Sequence, residues 1–126
     1  MDKAKILIVD DSLVARMEIS SVLKKMDYTI IQAVDGNDGL IKLEENPSVS
    51  LIIADHYMPN LSGIEMVKKI RESDQFRDIP IVMLTSESSE HMKEIGADNG
   101  ILAWALKPCN KEVIAEVVQK ILGANR

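Results

Sequence analysis

Four short apolar runs punctuate the chain: Ile6-Leu7-Ile8-Val9, Tyr28-Thr29-Ile30-Ile31, Leu51-Ile52-Ile53-Ala54 and Ile81-Val82-Met83-Leu84. They are continuous instead of alternating, which is the pattern of strands buried on both faces. A fifth run, Ile101 to Leu106, is less rich in β-branched residues but stops at Lys107-Pro108, where a helix could not easily continue, and it reads as a fifth strand. Helical spacing fills the intervals. Ala15, Ile19, Val22, Leu23 and Met26 fall on one helix face, as do Ile114, Val117, Val118 and Ile121. Met17, Met26, Met66, Met83 and Met92 follow such faces and read as core filling. Helix start signals stand at Ser12, at Asp35 or Asn37, at Ser62 and at Asn110.

A strand followed each time by a helix gives five βα units, hence an α/β fold with a parallel sheet covered on both faces. Right-handed crossovers leave few topologies, and the flavodoxin-like doubly wound (βα)5 order 2-1-3-4-5 is the common one for five strands. The crevice of such a sheet opens beyond the carboxyl ends of strands one and three, where the winding reverses.

Length and composition narrow the function classes. The 126 residues suit one domain, expected to span 1–126 with no output domain after it, and long enough to bury a core. The charge of −5 is mild and the basic residues are scattered, which argues against nucleic acid as a direct partner. The first apolar run is four residues long, too short for a signal peptide or membrane insertion, so a cytoplasmic location is expected. Cys109 is alone and can close no internal disulfide; a packing role is its default.

The chemistry gathers at the strand ends. Strand one ends in Asp10-Asp11 and strand three in Asp55, so the topology brings three carboxylates to the switch point. Two like charges about 4 Å apart repel by roughly 4 kcal/mol at an effective dielectric near 20, which calls for a counter-ion. An all-oxygen donor set favours Mg²⁺, with Mn²⁺ as a substitute, and Mg²⁺ commonly shares its shell with phosphate. Strand four ends in Thr85-Ser86 and strand five in Lys107, adding hydroxyls and a cation to the same rim. Taken singly, Asp-Asp could cap a helix, Thr85 could bond locally and Lys107 could be a solvated edge. A common site accounts for all of them together.

Ile8-Val9-Asp10-Asp11-Ser12, then Asp55-His56-Tyr57-Met58-Pro59 with Gly63 beyond, then Thr85-Ser86, then Lys107-Pro108 resemble the receiver domain of bacterial response regulators, over nearly the whole chain. The resemblance implies that Asp55 accepts a phosphoryl group from a histidine kinase or histidine phosphotransfer protein. It also implies that Asp10, Asp11, Asp55 and the main-chain carbonyl of Tyr57 hold Mg²⁺, and that Thr85 and Lys107 contact the phosphoryl oxygens. Trp104, three positions before Lys107, occupies the place of an aromatic switch residue, and a cis Lys107-Pro108 bond is common there. Such a protein catalyses only its own phosphorylation and dephosphorylation. It is expected to be a monomer that presents its helix 4, strand 5 and helix 5 face to a downstream protein, such as a flagellar switch component of chemotaxis, or to pass phosphate along a relay.

The chain departs from the family pattern at two places. Gly96-Ala97 lies further ahead of Trp104 than the usual Gly-Ala pair, and Cys109 replaces an aromatic after the Lys-Pro pair. His56 should point away from Asp55 along an extended chain, and His91 sits among Ser and Glu on a helix as a solvated side chain. Three rival readings meet obstacles. A small-molecule aspartyl-phosphate phosphatase or phosphotransferase would want an acid two residues after Asp55, where Tyr57 stands. FMN binding would want a hydroxyl- and glycine-rich loop in place of Asp10-Asp11. A pseudo-receiver acting without phosphorylation would not need the complete site.

Overall fold

A computed structural model describes residues 4–85, 90–107 and 110–123, with the side chains of 85 and 90–92 excepted. In chain order the elements are β1 (Lys5–Val9), α1 (Leu13–Lys25), β2 (Thr29–Ala33), α2 (Gly36–Glu45), β3 (Val49–Ala54), α3 (Gly63–Glu72), β4 (Ile81–Thr85), α4 (Glu90–Asp98), β5 (Ile101–Leu106) and α5 (Lys111–Leu122). The five strands form one parallel sheet in the order β2-β1-β3-β4-β5, as the sequence pattern predicts.

Burial on both faces of the inner strands explains their unbroken apolar runs. Leu7, Val9, Ile52, Ala54, Ile81 and Met83 point to one layer with Leu43, Met66, Val67 and Ile70 of α2 and α3. Ile6, Ile8, Leu51, Ile53, Val82 and Leu84 point to the other, with Ile19, Val22 and Leu23 of α1 and Ile114 and Val118 of α5. The alternation within each strand is between two cores, not between core and water.

The helices start where short polar side chains can satisfy free backbone N–H groups. Ser12 accepts from Ala15 N, Asp35 from Asp38 N and Asn110 from Val113 N. Asp35, not Asn37, caps α2. At α3, Ser62 and Glu65 form a reciprocal capping box. Gly63 begins that helix because a Cβ there would collide with the Asp55 carbonyl oxygen.

Two expectations are corrected, and one open segment is defined. Tyr28 is buried but precedes β2: its N–H closes the end of α1 on Leu23 O, and pairing with β1 runs from Thr29 to Ala33. Met17 does not fill the core; it is 58% exposed, beside Leu13 and Val14 on the outer side of α1. The inner stripe of that helix runs through Arg16, Ile19, Ser20 and Leu23, and Met17 lies about 100° off Arg16. The Gly96-Ala97 pair belongs to α4, so the connection to β5 is the short Asn99-Gly100 turn.

β5 carries a feature invisible in its sequence. Ile101 pairs with Ile81 but Ala103 pairs with Val82, which leaves Leu102 as an extra, bulged residue, 60% exposed. The shift turns Ile101 and Trp104 to the α2–α3 layer and Ala103 and Ala105 to the α1–α5 layer. The start of β5 is held from α3. Arg71 donates through Nε to Asn99 O at 2.7 Å, through Nη1 to Arg77 O and Ile79 O at 2.8 Å each, and through Nη2 to Gly100 O at 3.1 Å.

Candidate acidic site at the carboxyl edge of the sheet

The parallel register of β1 with its two neighbours builds the site. Val9 lies opposite Ala33 and Ala54, and the ladder extends one step further through Asp10 N to Ala33 O and Asp55 N to Val9 O. Asp10 and Asp55 therefore leave adjacent strands side by side, 2% and 6% exposed. Asp11, the next residue, is exposed. One carboxylate oxygen from each of Asp10, Asp11 and Asp55 lies within 4.8 Å of the others.

Lys107 enters from the end of β5. Its Nζ is 2.5 Å from Asp10 Oδ2 and 3.1 Å from Asp55 Oδ2. Burial alone would pull the ammonium below its ordinary pKa of 10.5, but the hydrogen bonds and charges of Asp10 and Asp55 outweigh it and hold the pKa above that value. Asp10 Oδ1 accepts from Ser12 N at 2.9 Å, and Asp55 Oδ1 from Tyr57 N at 3.3 Å. Formally, one ammonium against three carboxylates leaves two negative charges. An oxygen-only donor set with that residual charge fits a hard divalent cation such as Mg²⁺.

The loop after β3 forms the near wall. Tyr57 is 48% exposed, with its ring edge-on to His56 at 4.9 Å between centroids. Asn60 adopts a left-handed conformation, φ 70°, and donates to Asp35 Oδ2 at 2.9 Å, while Gly36 N bonds Leu61 O at 3.3 Å. The loop is thus tied to the start of α2. Thr85 closes β4 at the same edge, next to Lys107 in the chain path of β5, but its hydroxyl, Ser86, Pro108, Cys109 and the side chain of His91 lie outside the described residues. Trp104 pairs with Met83 in the sheet and packs its ring under α4, where a Cβ on Gly96 would come within 3.0 Å of it.

Sequence reasoning overlooks two basic residues. Arg16 is buried beneath the site, donating from Nη1 to Asp10 O at 2.6 Å and from Nε to Gln32 Oε1 at 3.1 Å. Its position on the apolar stripe of α1, in step with Ile19, Ser20 and Leu23, was the available signal. Arg71 follows Ile70 and reads as an ordinary surface charge.

The family model of the response regulator receiver domain matches residues 6–119. The chain belongs to the response regulator receiver family. Receivers are signalling domains of two-component systems, and this one is similar to the chemotaxis protein CheY1 of Helicobacter pylori, 32% identical over 122 residues, or 96% of this chain and 98% of that protein. It is equally similar, 32% over 117 residues, to the two-component response regulator ORR5 of Oryza sativa, covering 93% of this chain and 87% of the other. The crystal structure of Vibrio cholerae chemotaxis protein CheY4 superposes with a TM-score of 0.90 at 36% identity, covering 96% of this chain and all of that one. The receiver's acidic pocket is the place of Mg²⁺ in the family, and here it corresponds to the Asp10-Asp11-Asp55 group. Among the described residues no helix is long and apolar enough to cross a membrane.

Proposed function

We propose that this receiver takes a phosphoryl group onto Asp55 from a histidine kinase or histidine phosphotransfer protein and relays the signal by docking to a partner in the cytoplasm. The observation that carries the reading is the junction of Asp10, Asp55 and Lys107: two buried carboxylates from neighbouring strands bridged by one ammonium, with Asp11 alongside. Asp10, Asp11, Asp55 and the Tyr57 carbonyl would hold Mg²⁺. When bound, the cation neutralises charge on the phosphoryl oxygens and the carboxylates around them.

The chain's own groups do the rest. A carboxylate oxygen of Asp55 attacks the phosphorus of a phosphohistidine, the new P–O bond forms as the P–N bond breaks, and the electron pair leaves on the imidazole nitrogen, which takes a proton from water. Lys107 exchanges its contact with the Asp55 carboxylate for a phosphoryl oxygen. Tyr57, half exposed two residues beyond Asp55, would limit the approach of water to the acyl phosphate. The modification adds roughly one to two negative charges and new acceptors, which draw the Thr85 hydroxyl inward. Trp104 follows into the vacated space and alters the α4, β5 and α5 face. Reversing a 1:99 equilibrium to 99:1 takes about 5.5 kcal/mol of differential stabilisation, the scale of a few charge-assisted hydrogen bonds. The chemotaxis relatives support a flagellar switch component as the target.

The decisive experiment treats wild type and Asp55→Asn with a small phosphodonor and Mg²⁺ and reads intact mass. Wild type should gain one phosphoryl group and the variant none, and excess chelator should suppress the gain; equal labelling of both would remove Asp55 from its role.

A further inference from the structure

A buried guanidinium normally sits against a carboxylate, because an unpaired charge in the interior is costly. Arg16 does not. It is 9% exposed, and among the described residues its partners are neutral: the Asp10 carbonyl oxygen at 2.6 Å and the Gln32 amide oxygen at 3.1 Å. No carboxylate of the described residues lies within ion-pair distance of it. Its charge faces the acidic site only through the peptide that joins Asp10 to Asp11.

That peptide matters because the two acids are held differently. The Asp10 side chain is fixed three ways, by Ser12 N on Oδ1, by Lys107 on Oδ2 and by burial. Asp11 is exposed and its carboxylate has no hydrogen-bond partner among the described residues. The direction of Asp11 is therefore set by its backbone, and the Asp10–Asp11 peptide plane is what Arg16 grips. Gln32, on β2, in turn fixes the guanidinium, so the grip is braced by a helix on one side and a strand on the other.

We infer that Arg16 is a positioning residue for cation binding, which aims Asp11 at the acidic site by clamping the Asp10–Asp11 peptide, with Gln32 as its brace. The inference rests on the reading that Asp10 and Asp11 hold the cation. Outer partners that orient metal ligands are generally worth 10- to 100-fold in metal affinity.

Charge and position predict opposite signs here, which makes the test clean. If Arg16 acted only as a nearby positive charge, Arg16→Met would tighten cation binding and Arg16→Lys would leave it unchanged. If it positions Asp11, both variants weaken binding, because lysine keeps the charge but lacks the planar fork that reaches two acceptors at once.

Chelator-stripped full-length protein is titrated with Mn²⁺, the free ion being read by electron paramagnetic resonance, with Mg²⁺ as competitor and far-UV circular dichroism as the check on folding. Arg16→Lys and Arg16→Met should each raise the Mn²⁺ Kd about tenfold, and Gln32→Leu, which leaves Arg16 in place without its brace, should raise it by a smaller factor. A Kd unchanged in Arg16→Lys, or tightened in Arg16→Met, overturns the inference. Should either Arg16 variant fail to fold, Gln32→Leu decides, and an unchanged Kd there overturns it equally. Asp11→Asn separates the two levels: if it binds Mn²⁺ as wild type does, the cation reading itself fails, whereas weak binding by Asp11→Asn beside normal binding by the Arg16 variants sinks only the positioning role.

Discussion

The sheet has a deeply buried half and a lightly covered half, and each contributes different groups to the site. β1 and β3 are buried nearly end to end, between complete helical layers, and they deliver Asp10 and Asp55. β5 is half exposed along its length, carries a bulge, and shows Leu102 and Leu106 to solvent at 60% and 52%. Lys107 is the bridge, leaving the loose strand to bond both acids of the tight ones. Chemistry needs groups held to fractions of an ångström, while a responsive face needs packing that can be rearranged at small cost. The acids sit in the deeply buried centre and Trp104 on the lightly covered side, the arrangement that the proposed switch would require.

Substitution should expose the asymmetry most strongly in the core. Ile52→Ala, at a fully buried position of β3, should cost about 2–5 kcal/mol in urea unfolding, against a change within about 0.5 kcal/mol for Leu102→Ala on β5. Similar losses at the two sites would erase the distinction.

A smaller effect is expected where the loose half is moored. Arg71→Met leaves the carbonyls of Arg77, Ile79, Asn99 and Gly100 without their donor and should cost about 1–3 kcal/mol. Amide exchange should accelerate first around 99–101, before the amides of 52–54 respond. Exchange rising uniformly across the sheet would mean that Arg71 supports the whole fold and not this edge.

The least effect concerns the cap of α3. Glu65 has its carboxyl below the ordinary value of 4.5, mainly because it accepts from the Ser62 backbone N–H, then from the Ser62 side chain. A depressed folded-state pKa means that the stabilisation is present above pH 4.5 and fades as pH falls through the lower, folded value. Glu65→Gln should therefore flatten the pH dependence of the urea midpoint below 4.5 by a small amount, the group being fully exposed. An unchanged slope would show that the box contributes nothing.

How much was legible follows from where each signal resides. The apolar runs of β1, β3 and β4 stand out because both faces of an inner strand must be apolar; Asp10, Asp11 and Asp55 are conspicuous because they follow such runs, and Lys107 because it follows the fifth run just before Pro108. β2 is harder: it is a partly exposed edge strand, so Gln32 interrupts the run and the apolar stretch starts one residue early, on Tyr28. The Leu102 bulge depends on what β5 pairs with, which no local pattern encodes. Met17 misleads because one step along a helix turns a side chain by about 100°. Arg16 and Arg71 escape notice since arginine is usually exposed, and only the fold reveals which backbone carbonyls await a donor.

The bulge at Leu102 also bears on self-association. As the last strand in the order, β5 presents one side to no partner strand among the described residues, and such an edge is a template on which another extended chain can pair. Leu102 and Leu106 would make that template sticky if it were flat. An extra residue breaks the even spacing of N–H and C=O groups and increases the local twist, so an incoming strand finds no continuous ladder to extend. The same irregularity thus guards the edge against sheet-to-sheet aggregation.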